Sequence, residues 1–228
     1  MHRDDKEDIH LKNSKDRGWK IISVSPEIDV LILGGGRAAE IKGRSFLNQN
    51  IEPDIYSEEI ESRFLKEKIE SGTISRISEY SHEIIGDYHI IIAATSDEKF
   101  NGEVLAECRK LKKLCLYGPE WRKGNIIVPM QISTENADIS VSTKSGSPMT
   151  SVFISEKIRE TAEKYDDFID YAASLRKKIR RKFDEKKRYE IMKFINSDDF
   201  FFFFERGKAD TVLKLFYGGE VIEDNSGD

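Results

Sequence analysis

Residues 31–42, LILGGGRAAEIK, constrain the fold more than any other stretch of the chain. The continuous apolar character of residues 29–33 predicts a buried strand. Three glycines follow, and apolar residues then recur at helical spacing over 37–49, which predicts a helix. A strand that passes through a glycine turn directly into a helix is typical of an α/β sheet domain.

Within this turn, Gly34-x-Gly36-x-x-Ala39 matches the pattern G-x-G-x-x-G/A. Gly34 permits the tight turn, Gly36 has no Cβ and lets a pyrophosphate approach the backbone, and Ala39 lets the helix lie close to the strand. The free N–H groups at the start of the helix favour an anion. The turn therefore predicts a dinucleotide site over Gly34, Gly35, Gly36, Arg37 and Ala38. The alternative is a glycine turn that serves packing alone.

The second predicted strand, residues 53–57, ends beside Ser57 and Glu58. A carboxylate in this place would hydrogen-bond the adenosine ribose and disfavour an added 2′-phosphate, which favours NAD as the cofactor over NADP. Asp54 lies too early in the strand for this role. SEEIE is equally typical of a helix start, so both interpretations of Glu58 stay open.

Further strands are predicted over 71–78, 88–95 and 114–117, with a helix over 101–113. Strands that alternate with helices predict parallel βαβ units. The pattern then changes: NIIVPMQIS and ADISVST predict two short antiparallel strands, because only a polar turn separates them. Helices are predicted over 147–165, 167–195 and 208–217. We expect a mobile leader over 1–18, a nucleotide-binding domain over 19–117, a β segment over 118–146 and a helical domain over 147–228.

Composition narrows the classes of partner. The net charge of −5 on 228 residues provides no overall basic field, so we expect no nucleic-acid partner. No apolar run approaches the roughly 20 residues of a membrane span, and the charged N-terminus has no apolar signal core. These features predict a cytoplasmic protein with no membrane association.

Cys108 and Cys115 fit neither a CxxC pair nor a disulfide framework, and they are expected to be buried free thiols.

Three stretches together resemble the precorrin-2 dehydrogenase family, which also forms the N-terminal module of siroheme synthases. They are GGGRAAEIK, then IIAATSDEKFN, then ISVSTKSGSP. The matching residues are Gly34 to Gly36 with Ala39 and Lys42, Ala93 to Thr95 with Asp97 and Asn101, and Ser142-Thr143 with Gly146, Ser147 and Pro148. Their order and spacing also agree, and the resemblance spans about residues 20 to 165.

The resemblance implies a Rossmann domain, a small β segment used in homodimerisation and a helical C-terminal domain. It implies that precorrin-2 is oxidised to sirohydrochlorin in tetrapyrrole biosynthesis, with NAD accepting the hydride and Ala94 and Thr95 contacting this cofactor. Asn101 and Ser147 are the implied substrate-binding residues. Some members are bifunctional and also insert iron into sirohydrochlorin. A metal site in this chain stays unknown.

The chain departs from this family after the fifth strand. The family has an aspartate there, in an N-V-x-D-x-P segment, and LCLYGPEW places Tyr117 or Gly118 in its position. Asp97 is the first candidate to replace this acid, because it follows the clearest strand at its carboxyl end; its alternative is a helix cap. Glu120 and His89 are further candidates. The departure weakens the expectation of chelatase more than that of dehydrogenase, and it leaves open a non-catalytic binding homologue.

Two other stretches have open interpretations. LRKKIRRKFDEKKR, residues 175–188, would bind tetrapyrrole carboxylates, an acidic partner or RNA, or form the solvated face of a helix. The five phenylalanines of DDFFFFFERG cannot all face one side, and core packing is favoured over contact with a partner subunit or a flat macrocycle.

Overall fold

The computed structural model of the chain describes residues 24–143 and 146–223, and the leader expected over 1–18 lies outside them. The chain divides into two compact units between Val128 and Pro129. Every helix of the described ranges is too short or too polar to cross a membrane.

The first unit alternates strands and helices. Its elements are β1 (Val30–Leu33), α1 (Arg37–Leu47), β2 (Asp54–Tyr56), α2 (Arg63–Glu70), β3 (Ser75–Arg76), β4 (Ile90–Ala93), α3 (Glu98–Lys110) and β5 (Leu114–Tyr117). The predicted strands and the two predicted helices are confirmed, with bounds that differ by a few residues. Helix α2 was not predicted; Ser62 begins it by accepting a hydrogen bond from Leu65 N.

All five strands are parallel, in the order β3-β2-β1-β4-β5. Strands β1 and β4 are buried along their whole length, as expected for a sheet covered on both faces. One face packs on α1 through Ala39 and Phe46, and the other packs on α3 through Val104 and Cys108. Because the strands are parallel, the loops after β1, β2, β4 and β5 all emerge at one edge of the sheet.

The second unit begins with the antiparallel pair β6 (Met130–Ser133) and β7 (Asp138–Val141), in which Met130 pairs with Val141. The predicted antiparallel arrangement is confirmed. The carboxylate of Asp166 holds the turn between these strands, since it accepts hydrogen bonds from Thr134 Oγ1 and from the backbone N–H groups of Glu135 and Asn136. These bonds join the hairpin to the start of the helix that Asp166 opens.

The helices of this unit are α4 (Pro148–Ala162), α5 (Asp166–Lys182), α6 (Glu185–Ile195), α7 (Asp198–Phe204) and α8 (Ala209–Tyr217). The single helix predicted over 167–195 is therefore wrong, because the chain becomes extended at Phe183 and Asp184 caps a new helix by accepting from Lys187 N. Of the five phenylalanines, Phe200 is fully buried, whereas Phe202 and Phe203 are exposed. Core packing is confirmed for part of this run only.

The observed architecture is the predicted α/β class, with a parallel sheet, a small antiparallel pair and a helical C-terminal region. The division of the chain differs from the three domains expected. Residues 118–128 belong to the first unit, where Asn125 Oδ1 accepts from Cys115 N. The antiparallel pair belongs to the second unit.

Candidate functional site

The loops after β1 and β4 meet at the carboxyl edge of the sheet. A Cβ on Gly34 would overlap the carbonyl oxygen of Ala94, so only glycine permits this approach. Strands β1 and β4 are neighbours, and the helices after them pack on opposite faces. The topological switch point of the sheet therefore lies between these two loops, and open α/β sheets bind their ligands at such a point.

The three glycines of the turn differ in their surroundings. Gly34 has a φ of +127° and donates its N–H to Tyr56 O at 2.9 Å. A Cβ on Gly35 would overlap the carbonyl oxygen of Glu59, and Gly35 O accepts from the N–H groups of Glu61 and Ser62. Gly34 and Gly35 therefore pack tightly against neighbouring loops.

Gly36 faces open space. It is the N-cap residue of α1, and no side chain caps the helix there. A Cβ built on Gly36 meets a single atom within 4 Å, Glu61 Oε2 at 3.3 Å. The space that a Cβ would fill lies at the start of a helix with uncapped N–H groups, which is the arrangement that fits the pyrophosphate of a dinucleotide.

Glu61 is a site residue that the sequence did not predict. Its carboxylate lies beside the open side of Gly36, although a negative charge there opposes a pyrophosphate. This part of the sequence has four acidic residues, Asp54, Glu58, Glu59 and Glu61. No sequence pattern distinguishes Glu61, the one whose carboxylate lies near the glycines. The backbone bond from Glu61 N to Gly35 O is what places it.

The residues expected at the ribose end come directly after β2. Ser57 Oγ donates to Glu59 O at 2.6 Å, and Glu58 is exposed. Arg76, the last residue of β3, was not predicted here. Its Nη2 donates to Ser57 O at 2.9 Å and to Glu58 O at 3.0 Å. The adjacency of β2 and β3 brings this guanidinium to the same edge, a placement that the weakly predicted third strand did not reveal.

After β4, Asn101 fixes the loop. It is completely buried, its Oδ1 accepts from the N–H and hydroxyl of Thr95, and its Nδ2 donates to Thr95 O. Direct contact with a substrate would require Asn101 to leave these bonds, so substrate binding by this residue stays a prediction. Its observed role is to position Ala94 and Thr95 beside the glycine turn.

The carboxylate candidates separate by position. Asp97 is exposed and caps α3, because its Oδ1 accepts from Phe100 N at 3.0 Å. Glu120 pairs with Lys123 at 2.7 Å on the far side of Pro119. His89 lies at the opposite edge of the sheet, where its Nδ1 is 3.0 Å from Asp29 Oδ2. Of the three, Asp97 lies nearest in the chain to the loop beside the glycine turn.

The positions of Tyr117 and Gly118, at the end of β5, have no room for an acid. Gly118 N donates to Ala93 O at 2.8 Å, and a Cβ on Gly118 would lie 2.8 Å from that oxygen. The neighbouring Tyr117 is buried in the core between the sheet and α3. A carboxylate in either position would require the backbone or the core to shift. Within the described ranges, no three His, Cys, Asp or Glu side chains gather to hold a metal ion.

The remaining predicted residues lie on helix starts. Arg37 and Ala38 are exposed in the first turn of α1, with Arg37 Nη1 3.5 Å from Glu40 Oε1. Lys42, further along α1, donates weakly to Val128 O, and burial lowers the pKa of its ammonium group. Ser147 precedes α4 and hydrogen-bonds Thr150 Oγ1 at 2.7 Å. Ser147 belongs to the second unit, whereas the glycine turn belongs to the first.

Comparison with known proteins agrees with this geometry. Residues 23–130 match the family model described as "Putative NAD(P)-binding", and the predicted NAD cofactor is confirmed. A siroheme synthase of Klebsiella pneumoniae is 24% identical over 173 residues, and one of Mannheimia succiniciproducens is 27% identical over 130 residues. These alignments cover 74% and 57% of this chain but only 38% and 27% of the two relatives.

The structure of SirC, a precorrin-2 dehydrogenase, has a similar fold. It superposes with a TM-score of 0.58 at 19% identity and covers 89% of this chain and 95% of that one. At this identity the likeness shows the fold. The NAD(P)-binding domain and the similarity to siroheme synthases support the resemblance of the chain to the precorrin-2 dehydrogenase and siroheme synthase family.

Proposed function

We propose that the protein oxidises precorrin-2 to sirohydrochlorin and that NAD takes up the hydride. The observation that carries this proposal is the open face of Gly36 at the uncapped start of α1, in a chain whose relatives include siroheme synthases. The nicotinamide ring supplies the hydride-accepting chemistry when the cofactor is bound. The contribution of this chain is to position the two reactants, because holding them in the reacting geometry lowers the barrier to hydride transfer.

The binding roles are assigned by position along the carboxyl edge. The N–H groups of Gly36, Arg37 and Ala38 hold the pyrophosphate, with Gly34 and Gly35 shaping the turn. Ser57 and Glu58 hold the adenosine ribose at the end of β2. Ala94 and Thr95, fixed by Asn101, form the opposite side of the site and meet the nicotinamide half of the cofactor.

The oxidation also releases a proton from the substrate. Asp97 is our candidate for the acceptor, because its carboxylate is exposed in the loop after β4. The Oδ1 atom of this carboxylate also caps α3. The family pattern would place an acid after β5, where Tyr117 and Gly118 stand. A base contributes about 10²- to 10⁴-fold to a rate, so a chain without the usual acid would still catalyse hydride transfer, more slowly.

A non-catalytic binding protein is the second candidate function. The closed backbone at Gly118 favours it, because this position cannot carry a carboxylate without rearrangement. Such a protein would bind NAD or the tetrapyrrole without turning either over. Metal insertion into sirohydrochlorin ranks below both, since it needs groups that accept protons or bind metal near the macrocycle centre.

A cytoplasmic homodimer is the proposed form of the protein. Helix α4 leaves Met149, Val152 and Phe153 exposed, and large apolar side chains at neighbouring positions of one helix favour an interface. A second copy of this chain is the occupant that the family resemblance implies.

The rate of sirohydrochlorin formation tests the proposed function. Purified protein, NAD and enzymatically prepared precorrin-2 should give sirohydrochlorin well above the rate without protein. A rate equal to the protein-free rate, with NAD still bound, would support the non-catalytic candidate instead. Adding Co²⁺ to sirohydrochlorin in a parallel reaction measures chelatase activity separately.

A further inference from the structure

The site at the end of β2 contains a cation as well as a carboxylate. Arg76 is exposed, and its two observed hydrogen bonds go from Nη2 to the carbonyl oxygens of Ser57 and Glu58. Its Nε and Nη1 groups make no hydrogen bond within the described ranges, and no carboxylate there lies within ion-pair distance of it. The guanidinium is thus held in place by neutral acceptors and keeps its charge and three N–H donors.

The position of Arg76 matters because the second strand of a dinucleotide-binding sheet ends at the adenosine ribose. A carboxylate at this strand end accepts from the 2′-hydroxyl of NAD, whereas a nearby arginine accommodates the 2′-phosphate of NADP. Here both groups are present: Glu58 is an exposed acid, and Arg76 is fixed to the backbone of that same residue.

We propose that Arg76 enables this domain to accept NADP as well as NAD, by pairing its guanidinium with the 2′-phosphate. This inference rests on the proposed function, because it takes the glycine turn as the pyrophosphate site. A phosphate carries nearly two negative charges at neutral pH, and hydrogen bonds between a guanidinium and a phosphate are charge-assisted and therefore strong. While Nη2 keeps the carbonyl contacts, the N–H groups of Nη1 or of Nε donate to the phosphate.

The opposing charges are the carboxylates of Glu58 and Glu59 in the same loop, both exposed. Exposed charges are screened by water and salt, so they weaken the 2′-phosphate contact without excluding it. The consequence is a site of mixed preference, in which Glu58 contributes to NAD binding and Arg76 to NADP binding.

Direct binding of the two cofactors to the full chain, measured by isothermal titration calorimetry, tests this. We expect NADP to bind within about tenfold of NAD. Arg76→Gln, which keeps an N–H donor for the carbonyls but removes the charge, should weaken NADP about tenfold or more and change NAD less than about threefold, the range of one charge-assisted hydrogen bond. Glu58→Gln should shift the preference the other way.

Arg109→Gln is the matched control. Arg109 is also an exposed arginine anchored to a backbone carbonyl, that of Lys123 at 2.9 Å, but it lies in the last turn of α3. This variant removes the same charge and should change neither affinity. NADP binding more than a hundredfold weaker than NAD binding, or an equal loss of both cofactors in Arg76→Gln, would overturn the inference. If NAD itself does not bind, the proposed function fails first; if NAD binds and NADP does not, this inference alone fails.

Discussion

Gly35 and Gly36 are neighbours in the sequence, yet the fold itself requires glycine only at Gly35. A side chain on Gly35 would overlap the backbone of Glu59, whereas a side chain on Gly36 would meet only the flexible end of Glu61. Gly36 also has a φ of −96°, which any residue can adopt. The requirement for glycine at Gly35 is therefore structural, and we propose that the requirement at Gly36 comes from the pyrophosphate of the cofactor.

Gly36→Val and Gly35→Val separate these two requirements. Gly36→Val should keep a melting temperature close to that of the parent protein and lose NAD affinity by about tenfold or more, because its side chain fills the pyrophosphate space. Gly35→Val should lower the melting temperature markedly. Thermal unfolding and NAD titration on both variants measure this, and unchanged NAD affinity in Gly36→Val would refute the pyrophosphate assignment.

Removing the charge of Glu61 should strengthen NAD binding, whereas Gly36→Val should weaken it. Two unit charges 4 Å apart repel by about 1 kcal/mol even in water, so a carboxylate beside Gly36 opposes the cofactor. Glu61→Gln should therefore bind NAD more tightly, by about threefold to tenfold. Glu52→Gln is the control, since it removes an exposed carboxylate that precedes β2 at the other edge of the sheet. Weaker NAD binding in Glu61→Gln would show that this carboxylate contacts the cofactor favourably.

For single residues, the sequence predicted the glycine turn, because each position of the motif has its own steric reason. It could not predict Glu61 or Arg76, whose places depend on hydrogen bonds to Gly35 and to the loop after β2. Such contacts join residues far apart in the chain, and no local pattern contains them. Asn101 shows the same limit: its motif was visible, but its burial against Thr95 was not.

Among the elements, α3 is capped by Asp97, the residue that we propose as the proton acceptor. Asp97→Asn should keep the cap, because asparagine and aspartate are equally good N-cap residues, and it should lower turnover about 10²- to 10⁴-fold if the carboxylate accepts the proton. Asp97→Ala should also lower stability by about 1 kcal/mol. Turnover and melting temperature of both variants distinguish the roles; full turnover in Asp97→Asn would leave Asp97 a cap alone.

The hairpin β6–β7 depends on Asp166 in a way that pH reveals. The Thr134 hydroxyl and the backbone N–H groups of Asn136 and Glu135 hold the pKa of this carboxyl below its ordinary value. Since the folded-state pKa is lowered, the stabilisation is complete above the unfolded value of about 3.9 and is lost as the pH falls through the lower folded value. The wild-type protein should lose this contribution in acid.

Asp166→Asn should therefore have a lower melting temperature than the wild type at neutral pH, with the difference shrinking below about pH 4. Asp167→Asn is the matched control, because Asp167 also lies in the first turn of α5 but is exposed. Melting temperatures of the three proteins between about pH 2 and pH 7 provide the measurement. A difference that stays constant across this range would contradict the role of the charge.

Strands with continuous apolar character were predictable, whereas the break between α5 and α6 was not. Phe168, Leu175, Ile179 and Phe183 keep helical spacing up to the break, and Phe183 still packs in the helical core. The hydrophobic pattern thus continues through residues 183–184 although the backbone is extended there. The extended backbone at Phe183 and the capping bond of Asp184 distinguish two helices from one.

For the whole molecule, the exposed face of α4 predicts self-association. Phe153→Asp should convert a dimer of twice 26.3 kDa into a monomer, because a charge would be buried where two apolar faces meet. Leu215→Asp is the control, since Leu215 is as exposed as Met149, at 79%, but lies on α8. Sedimentation equilibrium measures both masses, and a wild-type protein that is monomeric at micromolar concentration would contradict the proposed dimer.

The central claim is that the glycine turn holds an NAD that receives the hydride of precorrin-2. The most direct test is the stoichiometry of the reaction without oxygen, where spontaneous oxidation is suppressed. We expect one NADH to form for each sirohydrochlorin in the wild-type protein, and neither product to form with Gly36→Val above the protein-free background. Sirohydrochlorin formed without NADH, or no sirohydrochlorin from a protein that binds NAD, would contradict the claim.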